Sequence, residues 1–276
     1  MSAFRKIVCA LLAVLAGCLL SARRGAAQET HPVVDLNEGC LVGGVAGREW
    51  LGGEALAPLL KGGERYRLYT LTTARARVVR SNAAPAEEVC NGTMNVRFPS
   101  DVQDGIAVSG DWNALPRVPR MISTRDPAYR QAVARILRRH GFANPRINVT
   151  QVLRVDLDGD GIEEALVSAT HLAEGLSVNG GPMAVHARPG DYSLVFVRKI
   201  VRGRVRDIIL SEGYFPRRNS EQWTPTQDIV AAVLDLNGDG RMEIILHGGY
   251  YEGSWSTVFR LDGDRVENVF GCGCGA

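Results

Sequence analysis

The chain has 276 residues, of which 45% are hydrophobic, so it can form a real core and is not a disordered protein. Its 32 basic and 30 acidic residues give a formal net charge of +2, which does not favour nucleic acid or an anionic membrane as a partner. The basic residues are mostly arginine, a bias that we attribute to codon usage, and the only lysines are Lys6, Lys61 and Lys199.

An export signal is predicted at the start of the chain. Arg5 and Lys6 form a short positive region, and residues 7–20 form an apolar run without any charge. This order is typical of a secretory signal peptide, which we predict over residues 1–27. The apolar run is shorter than the roughly 20 residues that span a bilayer, so a permanent transmembrane helix is disfavoured.

Two processing routes are open for this leader. Small residues at Gly25 and Ala27 suit cleavage before Gln28, which would release a secreted or periplasmic protein. Residues 15–18 instead resemble a bacterial lipobox, in which a lipidated Cys18 would anchor the protein to a membrane. Both routes place the body of the protein outside the cytoplasm.

Four cysteines follow the predicted leader: Cys40, Cys90, Cys272 and Cys274. An exported protein can form disulfides, and four cysteines allow three pairings. A bond between Cys272 and Cys274 would close a very small, strained ring. We therefore expect Cys40 to pair with Cys90. The other two cysteines would then be free thiols in a frayed tail or, less favoured because the chain has no second ligand pair of matching spacing, ligands of a soft metal.

Residues 28–120 are predicted to form a small β-rich region. Residues 66–72 alternate between apolar and polar side chains as a half-buried strand does, and residues 76–79 and 95–98 are weaker strand candidates. Proline and glycine interrupt residues 99–119, which we interpret as a connector.

One amphipathic helix is predicted within residues 121–145, over residues 127–140. Asp126 can cap its start, Pro127 suits its first turn, and Gly141 can end it. Four apolar side chains fall on one face at helical spacing: Tyr129, Val133, Ile136 and Leu137.

Residues 146–276 are predicted to contain a duplicated β unit. Each unit consists of a strand, an acidic loop, a second strand, a connector and a hairpin. The predicted strands cover residues 149–155, 165–169, 192–201 and 205–210 in the first unit, and residues 229–234, 244–246, 256–261 and 265–270 in the second. Internal duplication is the simplest explanation of this order.

The two acidic loops are predicted to bind two calcium ions. Calcium takes about six to eight oxygen ligands, which a short loop supplies from carboxylates at alternate positions and a glycine at the sharp turn. The ligands in the first loop are Asp156, Asp158, Asp160, the carbonyl of Ile162 and Glu164. Those in the second are Asp235, Asn237, Asp239, the carbonyl of Arg241 and Glu243. The alternative is a turn in which these side chains only satisfy backbone groups.

These loops are not EF-hands, because that motif needs a glutamate at the twelfth position and a following helix. Here the twelfth residues are Val167 and Leu246, and the flanking residues are typical of strands. Over residues 146–270 the chain resembles the FG-GAP or VCBS-type repeats of integrin-α-like propellers, whose acidic loops bind calcium within a blade. The resemblance implies a calcium-binding β-repeat protein, although here the ninth position is glutamate.

The resulting fold prediction is mainly β, or α+β overall, with two four-stranded antiparallel units like propeller blades. One amphipathic helix and the β-rich N-terminal region complete it. A closed propeller typically needs about 4 to 8 blades, so two units favour a sandwich or a partial propeller.

The leading functional hypothesis is an exported calcium-binding module for binding, adhesion or structure in the cell envelope. Its partner would be an unidentified protein or carbohydrate, contacted through aromatic side chains. The candidate contact residues are Trp223, Tyr250, Tyr251 and Trp255. Membrane attachment would come only through a lipid on Cys18.

The alternative is an exported hydrolase whose catalytic groups meet only in the folded protein. Its histidines are His31, His140, His171, His186 and His247, and none belongs to a known catalytic sequence motif. No catalytic residue is therefore predicted, and His247 is interpreted as a structural residue at the end of a strand.

Overall fold

The computed structural model describes residues 29–73, 77–87, 90–102, 104–176, 182, 184–217 and 223–275. The predicted signal peptide, the lipobox and Cys18 lie outside these residues. In the described part, the chain is mainly β, with three open antiparallel sheets and two α-helices. None of the described helices is long and apolar enough to cross a membrane.

The first sheet has eight strands: β1 (Thr30–Asp35), β2 (Cys40–Ala46), β3 (Glu49–Gly52), β4 (Arg65–Tyr69), β5 (Arg77–Arg80), β6 (Ala86–Glu87), β7 (Met94–Asn95) and β8 (Ile106–Val108). Their order in space is β5-β4-β8-β1-β2-β7-β6, and β3 pairs with β2. The strands predicted around residues 66–72, 76–79 and 95–98 correspond to β4, β5 and the much shorter β7. A short helix α1 (Gly53–Leu56) and a 3-10 turn (Ala57–Leu59) were not predicted.

The second sheet contains the first predicted repeat. Its strands are β9 (Arg120–Met121), β10 (Val149–Val155), β11 (Glu164–His171), β12 (Tyr192–Val201) and β13 (Arg204–Tyr214). The order β13-β12-β11-β10-β9 confirms the predicted four-stranded antiparallel unit and adds β9 at its edge. Arg202 and Gly203 turn between β12 and β13 with φ of 51° and 73°, as a two-residue hairpin turn requires.

The third sheet contains the second predicted repeat. Its strands are β14 (Gln227–Leu234), β15 (Glu243–Tyr250), β16 (Gly253–Asp262) and β17 (Arg265–Gly275), in that spatial order. In the final hairpin, Asp262 pairs with Arg265, so the two turn residues are Gly263 and Asp264. Both repeats are therefore antiparallel meanders in which each acidic loop joins the first two strands.

The predicted amphipathic helix is α2 (Pro127–Arg139). Asp126 caps it by accepting a hydrogen bond from the Ala128 amide (2.8 Å), and Pro127 begins its first turn. Gly141 follows its end with a φ of 90°, a conformation that favours glycine. Its buried face is formed by Tyr129, Ala132, Val133, Ala134, Ile136 and Leu137.

One hydrophobic core joins all three sheets. Val33 of the first sheet, Leu166 of the second and Ile244 of the third belong to the same buried cluster. Side chains alternate across a strand, so the opposite face of the second sheet buries residues such as Phe196 against α2. The N-terminal region and the two repeats thus pack as one body, with α2 as an outer layer.

Two disulfides attach β17 to the N-terminal region, and the predicted bond between Cys40 and Cys90 is wrong. Cys40 pairs with Cys272, and Cys90 pairs with Cys274, with Cα–Cα distances of 6.3 and 5.5 Å. The physical reason is that β17 packs beside β2, which brings distant parts of the chain together. Residues two apart in a strand share a face, so both tail cysteines can point toward the first sheet.

Candidate metal centre

The first acidic loop joins β10 to β11, and its leading carboxylate holds the loop backbone. Asp156 accepts hydrogen bonds from the amides of Gly159 (2.7 Å) and Gly161 (3.0 Å). These glycines have φ of 78° and 87°, in the left-handed region that other residues adopt only with strain. Aspartate and glycine at this spacing therefore build the tight turn locally.

The second loop joins β14 to β15 and repeats this arrangement. Asp235 accepts hydrogen bonds from the amides of Gly238 (2.7 Å) and Gly240 (2.9 Å), whose φ values are 76° and 85°. The repeat seen in the sequence is thus also a repeat of backbone geometry and hydrogen bonding.

The ninth-position glutamates lie beneath their loops. Glu164 and Glu243 are only 2% and 1% exposed. One oxygen of each accepts a hydrogen bond from the amide that follows the first aspartate, Leu157 or Leu236, at 2.9 Å in both loops. Each glutamate therefore brings a buried carboxylate back to the start of its loop.

The fifth-position aspartates cap the end of each turn. Asp160 and Asp239 accept hydrogen bonds from the amides of Ile162 and Arg241, both at 2.8 Å. In the second loop, the Asn237 side-chain amide also donates to Asp239 (2.9 Å). These bonds are those of a stable turn. A carboxylate has about four lone-pair sites, so the same oxygens keep the capacity to bind a metal ion.

The first loop contains a compact group of carboxylates with a cation beside it. Asp156, Asp158 and Glu164 each offer an oxygen within 4.8 Å of the others. The Lys199 ammonium donates to Asp158 (2.8 Å) and Glu164 (2.6 Å). Burial opposes ionisation of Asp158, but the hydrogen bond and charge of Lys199 outweigh it and lower the pKa. The other Asp158 oxygen is buried and accepts no hydrogen bond from the described residues.

The second loop carries similar carboxylates without a cation of the protein. Among the described residues, no ion pair involves Asp235, Asp239 or Glu243. Burial raises the pKa of Glu243 to about 8, the charges of the two aspartates act in the same direction, and the Leu236 amide opposes them. Burial likewise raises the pKa of Asp235. This set of oxygen donors fits a hard cation, which would offset the negative charge.

The predicted connector lies against both loops. The Trp112 indole donates to the carbonyl of Asp235 (2.8 Å). Arg117 donates to the carbonyls of Asp156 and Gly240, the latter at 2.7 Å, so one side chain ties the two loops together. The loops are therefore held by the rest of the protein as well as by their own turns.

His247 lies in β15 between two acidic residues of the N-terminal region. Its ring nitrogens are 3.8 Å from Asp35 and 3.6 Å from Glu38. The nearby serine hydroxyls donate to these carboxylates, Ser256 to Asp35 and Ser254 to Glu38, rather than to the imidazole. This arrangement joins β1 to the third sheet and does not place a serine nucleophile on the histidine.

The remaining histidines make no comparable cluster. Three of them contact aromatic rings, with centroid distances of 4.8 Å for His31 and Trp112, 3.9 Å for His140 and Tyr214, and 6.3 Å for His171 and Tyr192. His186 is exposed. The described geometry therefore gives the hydrolase alternative no observation in its favour.

The candidate aromatic contacts fall into two groups. Trp255 stacks on Tyr250 (6.2 Å between centroids) and donates its indole hydrogen to Asp228 (3.1 Å), which indicates a structural role. Tyr251 and Trp223 are exposed, at 39% and 53%. Of the four candidates, all of which the structure describes, these two have the exposed aromatic rings.

No protein-family model, curated protein or solved structure matches this chain. The assignment of the metal site therefore depends only on the residues and distances described above. Sequence reasoning missed Lys199, Trp112 and Arg117, which contact the loops from other elements. The rarity of lysine was a signal for Lys199, but its partner Glu164 lies 35 positions away, which no local pattern indicates.

Proposed function

We propose that the protein is an exported calcium-binding β-repeat protein that acts as a binding or structural module of the cell envelope. One observation carries the calcium proposal. The two loops repeat the same geometry, and the first holds a cation on its carboxylates, whereas the second has carboxylates of the same kind and no cation from the described chain.

Electrostatics explains why the second loop favours calcium. Asp235 and Glu243 are buried, and the charges of Asp235 and of the exposed Asp239 both act on Glu243. Carboxylates packed together out of water repel each other, and a buried charge without a partner is costly. A calcium ion offsets that charge and accepts the irregular, oxygen-rich ligand sets that loops provide. Bound calcium then stabilises the connection between β14 and β15.

The packing of the sheets supports a repeat architecture like part of a propeller. Each repeat is a four-stranded meander, and the sheets share one core. The acidic loop occupies the same place in each meander, as the FG-GAP and VCBS resemblance implies.

Export is supported by the leader and the cysteines together. The sequence predicts a signal peptide over residues 1–27, and the four later cysteines form two disulfides. Disulfides persist in oxidising compartments outside the cytoplasm. Mass spectrometry of the mature N-terminus distinguishes a chain that begins at Gln28 from one that begins at a lipidated Cys18.

The partner that fits this module is a protein or carbohydrate bound through exposed aromatic rings. Tyr251 and Trp223 are the two described candidates that offer such a surface. Screening against immobilised polysaccharides and envelope proteins, with Tyr251→Ala and Trp223→Ala as comparisons, tests this part of the proposal. Equal binding by both variants and the wild type would exclude these rings as contacts.

Calcium titration of chelator-treated protein tests the metal site. We expect saturable heat on titration and a higher melting temperature in calcium than in chelator. Glu243→Gln should weaken binding at the second loop by at least about tenfold, because the charge of the ligand set determines affinity. The variant should keep its fold without calcium, since glutamine has the shape of a protonated glutamate and its oxygen can accept the same hydrogen bond from the Leu236 amide.

Asp264→Asn is the matched control. Asp264 is exposed in the last hairpin, outside the loop, so this variant makes the same change in charge without touching the site. Its calcium binding should equal that of the wild type. The proposal fails if the wild type shows no calcium-dependent heat and no change in melting temperature.

A further inference from the structure

Lys199 carries its charge into the first acidic loop. It lies in β12, its side chain is only 8% exposed, and its ammonium contacts Asp158 and Glu164 at 2.8 and 2.6 Å. These two carboxylates, with Asp156, form the group whose oxygens converge within 4.8 Å. The ammonium therefore lies against the same oxygens that a metal ion in this loop would need.

In the second repeat, the residue at the position of Lys199 is an arginine whose described contacts are not with the acidic loop. Counted along the paired strands from each loop, Arg260 in β16 is the counterpart of Lys199 in β12. The Arg260 guanidinium donates to Glu267 (2.6 Å) and lies 5.7 Å from the centre of the Trp50 ring. In the part of the chain that the structure describes, no cation takes the place at the second loop that Lys199 takes at the first.

Neighbours across the hairpins explain this difference. Arg260 is paired with Glu267, whose carboxylate holds the guanidinium away from the loop. Lys199 is paired with Arg206, which offers no opposite charge. Side chains directly opposite each other in an antiparallel pair interact. Glu267 therefore attracts the Arg260 guanidinium, whereas Arg206 does not attract the Lys199 ammonium, which binds the loop carboxylates instead.

The identity of the residue also fits the role. The chain uses arginine almost everywhere, and Lys199 is one of its three lysines. An ammonium is a compact charge with three donors, whereas a guanidinium is broad and planar. The compact group suits a space between two carboxylates that is otherwise sized for a single metal ion.

We propose that Lys199 is the internal counter-ion of the first loop, so the protein binds one calcium ion, at the second loop. The first loop binds calcium only when the Lys199 charge is removed. This inference rests on the proposed calcium binding and adds a residue that decides which loop is used. Its chemical basis is competition, since a calcium ion would have to displace a buried ammonium that is already paired twice.

The number of calcium ions bound per chain is the direct test. We expect isothermal titration of chelator-treated protein to give one ion for the wild type and two for Lys199→Met, which keeps an unbranched side chain and removes only its charged end. Arg260→Met, the matched change in the second repeat, should still bind one. Two ions in the wild type, or one in folded Lys199→Met, would overturn the inference while leaving calcium binding intact. No binding by any of the proteins would overturn both proposals.

Two further variants keep the test decisive if Lys199→Met does not fold. In Glu243→Gln the single site should bind calcium at least about tenfold more weakly than in the wild type, and a single site of unchanged affinity would mean that the first loop binds calcium in the presence of Lys199. Lys199→Gln removes the charge but keeps a polar group between the two carboxylates, so it should fold and bind two ions. One ion bound by folded Lys199→Gln would also contradict the inference.

Discussion

The imidazole of His247 interacts with carboxylates from another part of the chain. Its interaction with Asp35, a charge contact rather than a hydrogen bond at 3.8 Å, raises the pKa of His247 above 6.5. Burial opposes this shift, and the charges of Glu38 and Asp228 reinforce it. The protonated ring therefore stabilises the contact between β1 and the third sheet.

The raised pKa of His247 makes the free energy of unfolding depend on pH. The folded-state pKa of His247 lies above the unfolded value of 6.5, so its contribution is complete below that pH and is lost as pH rises through the folded-state pKa. We expect the free energy of unfolding to fall by about 1 kcal/mol across this range, the upper end for partly exposed ion pairs. Urea unfolding between acidic and mildly alkaline pH measures it.

His247→Gln should remove this part of the pH dependence, and His186→Gln should not. His186 is exposed, which makes it a control for the change from histidine to glutamine itself. Identical pH profiles for the wild type and His247→Gln would show that the ion pair contributes nothing.

At the scale of the element, the start of α2 depends on one side chain. Asp126 accepts the Ala128 amide hydrogen, and the helix buries one face against the second sheet. We expect Asp126→Ala to lower the free energy of unfolding by about 1 kcal/mol, the usual effect of losing such a cap. Asp126→Asn keeps an acceptor and should cost much less. Urea denaturation compares them, and equal stability of the two variants would exclude a capping role.

Local patterns in the sequence were sufficient for most elements of the second half of the chain. Strand alternation, turn residues and the capped helix predicted α2, and they predicted both meanders to within a few residues, because these features depend on neighbours in sequence. The geometry of the acidic loops was also local, since Asp156 and Asp235 bond to amides within their own loops.

The features that the sequence did not predict depend on contacts between residues far apart in the chain. The two-residue strands β7 and β9 pair with the longer β2 and β10, and β6 pairs only with β7, so none of the three has a sequence pattern of its own. The charge state of the first loop depends on Lys199, which reaches it from β12. Cysteine pairing depends on where β17 packs, so spacing alone favoured the wrong partner for Cys40.

At the scale of the whole molecule, the two disulfides join the last strand to the N-terminal region. They connect cysteines 232 and 184 positions apart, and both attach to β17. Peptide mapping under non-reducing conditions should recover Cys40 with Cys272 and Cys90 with Cys274. A peptide pair linking Cys40 to Cys90 in folded protein would contradict this arrangement.

The disulfides should also stabilise the protein in a non-additive way. Replacing either pair by serines is expected to cost about 2–4 kcal/mol, since each bond restricts the unfolded chain. While one bond remains, it already holds β17 near the first sheet, so the other closes a shorter loop. Removing both pairs should therefore cost more than the sum of the two single changes, which denaturant unfolding of the three variants measures.

The position of Cys272 and Cys274 also determines the order in which covalent bonds can form during synthesis. A chain that emerges from its N-terminus into an oxidising compartment exposes Cys40 and Cys90 long before their native partners. In the proposed exported chain without its leader, these two cysteines have only each other until then. A bond formed at that stage is non-native, and only thiol–disulfide exchange converts it once β17 has been made. Along the proposed export route, efficient maturation therefore needs a disulfide isomerase as well as an oxidase.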